Sequence, residues 1–143
     1  MIKFRIEGQD VSRKLEALIR KLKNPKDMMQ EVSDVIVEDI KNRIIKTKTD
    51  PEGNKWLPWA PSTQEARVKD GTAALGLLYR NGDLARSITG TVKGSKAIEI
   101  GSNLEYAKYL QEGTSKMPAR PFIGISKRAQ TGINQVIRQY LEK

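Results

Sequence analysis

Asp50 and Glu52 stand two apart in the turn sequence Asp50-Pro51-Glu52-Gly53 and could touch a hard cation. A calcium loop needs many more oxygen ligands at fixed spacing, so the pair reads as solvated turn residues. Glu38 and Asp39 are adjacent on a helical segment and point in different directions, which rules them out as an acid/base pair. Lys46-Thr47-Lys48 and Lys127-Arg128 offer charge to a phosphate, against the plainer reading of solvated surface or helix-end charge. The chain contains no histidine and no cysteine. The commonest general base and zinc ligand, the Ser-His and Cys-His pairs, thiolate catalysis and disulfides go with them. Neither common phosphate-cradling glycine loop is present. The expectation is a non-enzyme with no catalytic residue, cofactor, metal or small-molecule substrate.

The elements that position these residues follow from periodicity. Ile2, Phe4 and Ile6 alternate with Lys3, Arg5 and Glu7, the pattern of a half-buried strand. Asp10 is placed to cap a helix carrying Val11, Leu15, Leu18, Ile19 and Leu22 on one face. Asn24-Pro25 opens a second helix, predicted from about Pro25 to Ile45, with an apolar stripe from Met28 to Ile44. A long loop is expected at about residues 47–62, where Pro58 and Pro61 break any helix and Trp56, Leu57 and Trp59 need a surface to cover. Ser62 is a candidate cap for a short helix over Thr63–Lys69, and another helical turn is predicted over Asp83–Ser87. Ile88 and Val92, then Ile98 and Ile100, read as a hairpin; their faces agree only if Val92 lies opposite Ile98 around a Gly94-Ser95-Lys96 loop. A helix from Leu104 to Glu112 stops at Gly113. Met117–Phe122 holds two prolines and is expected to be an extended connector. Ser126 caps a last helix bearing Ala129, Ile133, Val136, Ile137, Tyr140 and Leu141.

This order gives the α+β class: one domain over residues 1–143, a small antiparallel sheet packed against long amphipathic helices. A chain of 143 residues buries roughly two-thirds of its unfolded surface, so one real core is expected. No apolar run approaches the roughly 20 residues of a membrane helix, and the N-terminal alternation is unlike an export signal, so a soluble, membrane-free protein is expected. The 26 basic residues outnumber the 17 acidic ones, for a net charge of +9. That excess suits an acidic partner or nucleic acid, but it sits at the two ends, in residues 1–23 and 91–143, without a concentrated arm.

Two stretches are more particular than periodicity. One runs from Asp50-Pro51-Glu52-Gly53-Asn54-Lys55-Trp56-Leu57-Pro58-Trp59 to Leu77-Leu78-Tyr79-Arg80-Asn81-Gly82-Asp83-Leu84-Ala85-Arg86-Ser87-Ile88. It resembles the phage virion morphogenesis family, the Mu G-like and S-like tail-completion proteins. The other, Tyr106-Ala107 through Gly113-Thr114 to Pro118-Ala119-Arg120-Pro121-Phe122, is similar to an element shared with phage head-to-tail joining proteins. Where many virion morphogenesis relatives carry His-Gln-Phe-Gly, this chain has Leu110-Gln111-Glu112-Gly113 and leans toward the joining variant.

The resemblance implies a bacteriophage or prophage structural protein, made in the bacterial host cytoplasm, that completes the tail or joins tail to head at a neck or terminator position. It also implies a homo-oligomer, a ring, with other phage tail or neck proteins as partners and DNA passage through the assembled ring. The residues it singles out are Asp50, Pro51, Gly53, Trp56, Trp59, Gly82, Leu84, Tyr106, Gly113, Pro118, Arg120, Pro121 and Phe122. Each has a fold-holding reading beside the assembly one: Arg120 is suited to carbonyls or a carboxylate, and the two tryptophans to anchoring the loop or meeting a partner. The alternatives are a basic nucleic-acid-binding module and a hydrolase built on carboxylates, for which nothing selects a pair.

Overall fold

The computed structural model describes residues 2–79 and 81–142; Arg80, within the first motif stretch, lies outside the described residues. The first strand, β1 (Ile2–Glu7), keeps the alternation read from its sequence. The next segment departs from expectation. Asp10 does not cap one long helix: its carboxylate accepts from the Glu7 amide (2.7 Å) and closes a single turn, α1 (Gly8–Val11). Ser12 then takes extended backbone, and its Oγ accepts from the Leu15 amide (3.1 Å) to start α2 (Arg13–Lys21). Two capping sequences in tandem thus break what apolar spacing alone reads as continuous.

The long helix α3 (Lys26–Asn42) starts just after Pro25, and Asn24 Oδ1 accepts from the Lys26 amide (3.2 Å). It runs on through a π-helical turn, Arg43–Thr47, closed by a Lys48 N–H to Arg43 carbonyl bond (2.9 Å). Lys48 leaves in the left-handed region, φ 56°. The loop that follows is shorter than predicted: α4 spans Pro61–Lys69, with Pro61 in its first turn in place of a Ser62 cap. Proline is preorganised for that position and lacks the N–H that would go unbonded there. A 3₁₀ turn, Ala73–Leu75, and the short α5 (Asp83–Ser87) lead into the hairpin.

Strands β2 (Thr89–Lys93) and β3 (Ala97–Ser102) pair antiparallel with Val92 opposite Ile98, and the connecting loop is Gly94-Ser95-Lys96 as expected. Strand β1 pairs on the far side of β3, Phe4 against Ile100 and Ile6 against Ile98, so the sheet order is β1-β3-β2. One face therefore carries Ile2, Phe4, Ile6, Val92, Ile98 and Ile100. The other carries Lys3 and Glu99, which pair at 3.3 Å.

Helix α3 lies across the apolar face. It comes so close to β2 that a Cβ on Gly90 would meet Ser33 Oγ at 2.2 Å, which only glycine permits. After α6 (Glu105–Glu112) and the connector comes α7 (Lys127–Leu141), which packs along α3 and touches α2. Met28, Met29, Val32, Ile36 and Ile40 of α3, Ile98 and Ile100 of β3 and Ile133 of α7 are fully buried. Sheet and helices thus close one α+β core.

Candidate functional site

The two motif stretches fold onto each other. In the first, Asp50 forms a tight turn: its Oδ1 accepts from the Glu52 and Asn54 amides (2.9 and 2.8 Å), and Gly53 takes φ 96°. Thr49 and Lys55 bridge beneath it. Pro51 lies against Gly124 of the connector, where an added Cβ would stand 2.5 Å from the proline ring. Trp56 turns inward, 6% exposed, and its Nε1–H donates to the Pro121 carbonyl (2.8 Å). Arg120, itself buried, donates from Nε to the Leu57 carbonyl and from Nη2 to the Pro58 carbonyl, both at 2.8 Å. Burial lowers its pKa from the ordinary value. One planar guanidinium thereby holds two successive carbonyls of a loop that has no strand ladder to satisfy them.

Further groups complete this joint. Gly113 ends α6 with φ 79°, and a Cβ there would stand 2.7 Å from the Ala119 nitrogen. That close return lets the Arg120 amide donate to the Leu110 carbonyl (2.7 Å). Gln111 Oε1 accepts from the Phe122 and Ile123 amides (2.9 and 3.0 Å), and Phe122 is fully buried. From α3, Arg43 donates to the Phe122 carbonyl and pairs with Asp39 at 2.6 Å, both side chains nearly sealed from solvent. Ser126 Oγ donates to Asp39 (2.7 Å) while accepting from the Ala129 amide as the cap of α7.

Asp39, Arg43 and Gln111 were not among the residues singled out from the sequence. A signal existed for the first two. They follow Val32 and Ile36 by seven residues each, which puts an i,i+4 ion pair on the buried stripe of α3. Glu38, next to Asp39, is exposed, consistent with their facing apart.

Beside the joint lies an open groove of about 560 Å³. Trp59, Gly82, Leu84, Tyr106, Pro118 and Arg120, all singled out from the sequence, line it. Leu84 is buried, Gly82 introduces α5 with φ 83°, and Tyr106 is 45% exposed, as is its neighbour Tyr109 at 54%. Helix α6 thus buries only Ala107 and turns both tyrosines outward. Burial and the nearby Asp83 raise the Tyr106 pKa.

Arg67 organises the opposite wall. Its guanidinium stands 4.5 Å over the Trp59 ring, and Nη2 donates to the carbonyls of Thr72 (3.1 Å), Gly76 (3.2 Å) and Tyr79 (2.5 Å). It is the one buried residue of α4, and its Nε is buried without a partner. Lys48, expected at the surface, is half-buried: Nζ donates to the Ile44 and Leu77 carbonyls and lies 5.5 Å from the Tyr79 ring. Burial, then repulsion from Arg67, lowers its pKa to about 8. Beyond the local Ile44 carbonyl, both cations reach carbonyls set by the course of residues 72–79, which no local pattern marks.

Among the described residues no cluster of three or more acidic side chains could hold a metal, and no helix is long and apolar enough to cross a membrane. What the arrangement offers is a pinned joint with an aromatic, positively charged groove beside it.

The phage virion morphogenesis family model matches residues 6–142. Mu-like prophage FluMu G protein 1 of Haemophilus influenzae is 24% identical over 99% of this chain and 96% of its own length. "Putative capsid assembly protein G" of Escherichia phage Mu is 35% identical over 64% of each chain. An uncharacterized protein of Methanocaldococcus jannaschii is 27% identical over 82% of this chain and 90% of its own. No solved structure matches.

Proposed function

This chain belongs to the phage virion morphogenesis family, and from that premise we propose that it is a non-enzymatic virion protein that completes the tail or joins it to the head, working as a ring of identical copies. The observation that carries the reading is the convergence of both family-like stretches on one joint, with the groove and the exposed Tyr106 and Tyr109 opening beside it. Enzymes gather their motif residues around reacting groups. Here the buried motif side chains are spent on backbone carbonyls and amides, and the remaining ones form a surface suited to protein contact. Repeated head-to-tail contacts between copies close into a ring when the rotation permits.

Electron microscopy of tailed particles carrying a labelled copy tests the position: density at the neck or tail end is expected, and absence of the protein from purified particles would reject the role. A second reading, nucleic-acid contact, is favoured by the charge of +9 and by exposed Lys127, Arg128 and Arg138 on α7. It predicts duplex binding that weakens steeply with salt, and no binding at low salt would remove it.

A further inference from the structure

Three features of the groove go beyond a general assembly surface. First, its charge is one-sided. Arg67, Lys116 and Arg120 line it; the carboxylate that lines it among the described residues, Asp83, is already paired with Arg86. Cations in a concave wall with apolar surroundings act through less water than cations on an open surface, so the local field is stronger than three exposed charges would give. Second, the Nε of Arg67 is buried with no acceptor, while its Nη2 is held by three backbone carbonyls. Sealed from solvent, that N–H is not an open donor for an occupant; what the wall presents is a buried cation whose hydrogen bonds go to neutral carbonyls, and a carboxylate is the group that would balance its charge. Third, α4 has no apolar face to bury and exposes Val68 at 61%, so this wall lacks the packing that holds an ordinary surface helix.

The geometry points to an extended segment of a second, non-identical protein, carrying an aliphatic or aromatic side chain flanked by carboxylates, as the occupant of this groove. The apolar anchor would cover Tyr106, Leu110 and Met117, and a carboxylate would face Arg67 and Lys116. Another copy of this chain is a poor complement. Its protruding Ile45 and Leu57 have only cations within two residues, Arg43 and Lys46 for the first and Lys55 for the second, so these apolar groups bring like charge to the groove. Leu75, with no charge within two residues, and Leu141, 59% exposed and next to Glu142, are not excluded on charge, and Leu141 serves as a control.

The inference rests on the assembly reading for the source of the segment, a fellow virion protein, but its test does not need the particle. A library of random dodecapeptides is selected on the purified full-length protein, and the enriched peptide is synthesised and titrated by fluorescence anisotropy. Enrichment of an apolar residue between Asp or Glu is expected. Binding should weaken at least tenfold in Lys116→Glu and in Tyr106→Ala, with Arg138→Glu on α7 unchanged. Enriched peptides without carboxylates would overturn the inference, as would an equal loss in Arg138→Glu, which marks diffuse charge. So would self-association that Leu141→Asp abolishes and the peptide disrupts, which would put a second copy in the groove, or duplex DNA displacing the peptide from the groove. Failure of peptide binding leaves the virion reading standing, whereas absence of the protein from particles removes that reading and leaves the groove's chemistry intact.

Discussion

Trp56 and Trp59 are three residues apart and end in opposite surroundings. The first is enclosed in the joint, its indole N–H on the Pro121 carbonyl. The second is half-buried on the groove, with Arg67 over its ring. The contrast extends to everything around them. In the joint, Arg120, Gln111, Arg43, Asp39 and Ser126 each have named partners inside the fold. In the groove, Tyr106 and Lys116 are exposed. A motif that looks uniform in sequence therefore divides into residues that hold the chain and residues left available. Substitutions in the two regions should differ in kind: joint variants lose stability, and groove variants keep it and lose partners.

The largest losses are expected in the joint. Trp56→Ala removes a buried aromatic and its hydrogen bond and should cost about 3–5 kcal/mol, read as a lower denaturation midpoint at unchanged m-value. Arg43→Met leaves Asp39 without its buried cation and the Phe122 carbonyl without a donor; about 3–5 kcal/mol is expected by the same titration. If Arg43→Met were neutral, the buried pair would not be holding the end of α3 to the connector. Arg120→Lys keeps the charge but loses the planar fork that spans two carbonyls, for about 1–3 kcal/mol. Trp59→Ala should cost only about 0.5–1 kcal/mol, the scale of one partly exposed cation–ring contact. Equal effects at Trp56 and Trp59 would erase the distinction between the regions.

The smallest effect is a pH dependence. Lys48 has a folded pKa of about 8, below the roughly 10.4 of an unfolded lysine. The folded chain therefore releases this proton first, and stability rises as pH increases from 8 to 10. Tyr140, raised to about 12 by its hydrogen bond to Glu31 and by burial, opposes this only above pH 10. Thermal melts should show the rise in the parent protein and a flatter profile in Lys48→Met.

Much of the frame was readable because it depends on local rules. Alternation marked β1, the pairing of Val92 with Ile98 followed from matching apolar faces, and Gly113 and Ser126 marked where α6 stops and α7 starts. The first helix was misread because Asp10 and Ser12 both cap, and apolar spacing cannot show which one ends a turn. The joint was visible as a motif, but its direction was not: inward Trp56 and outward Trp59 have the same residue type, and only the Pro121 carbonyl and the Arg67 guanidinium separate them. Lys48 was visible only as part of a surface basic cluster and Arg67 not at all, since the Leu77, Gly76 and Tyr79 carbonyls that draw them inward are placed by the tertiary path.

The most direct measurement of the account is the number of copies of the Tyr106→Ala/Lys116→Glu double variant in purified particles, determined by quantitative mass spectrometry beside its melting temperature. An unchanged melting temperature with strongly reduced incorporation is predicted. Incorporation at the parent level would contradict the claim that the groove, and not the joint, is the surface through which this protein enters the particle.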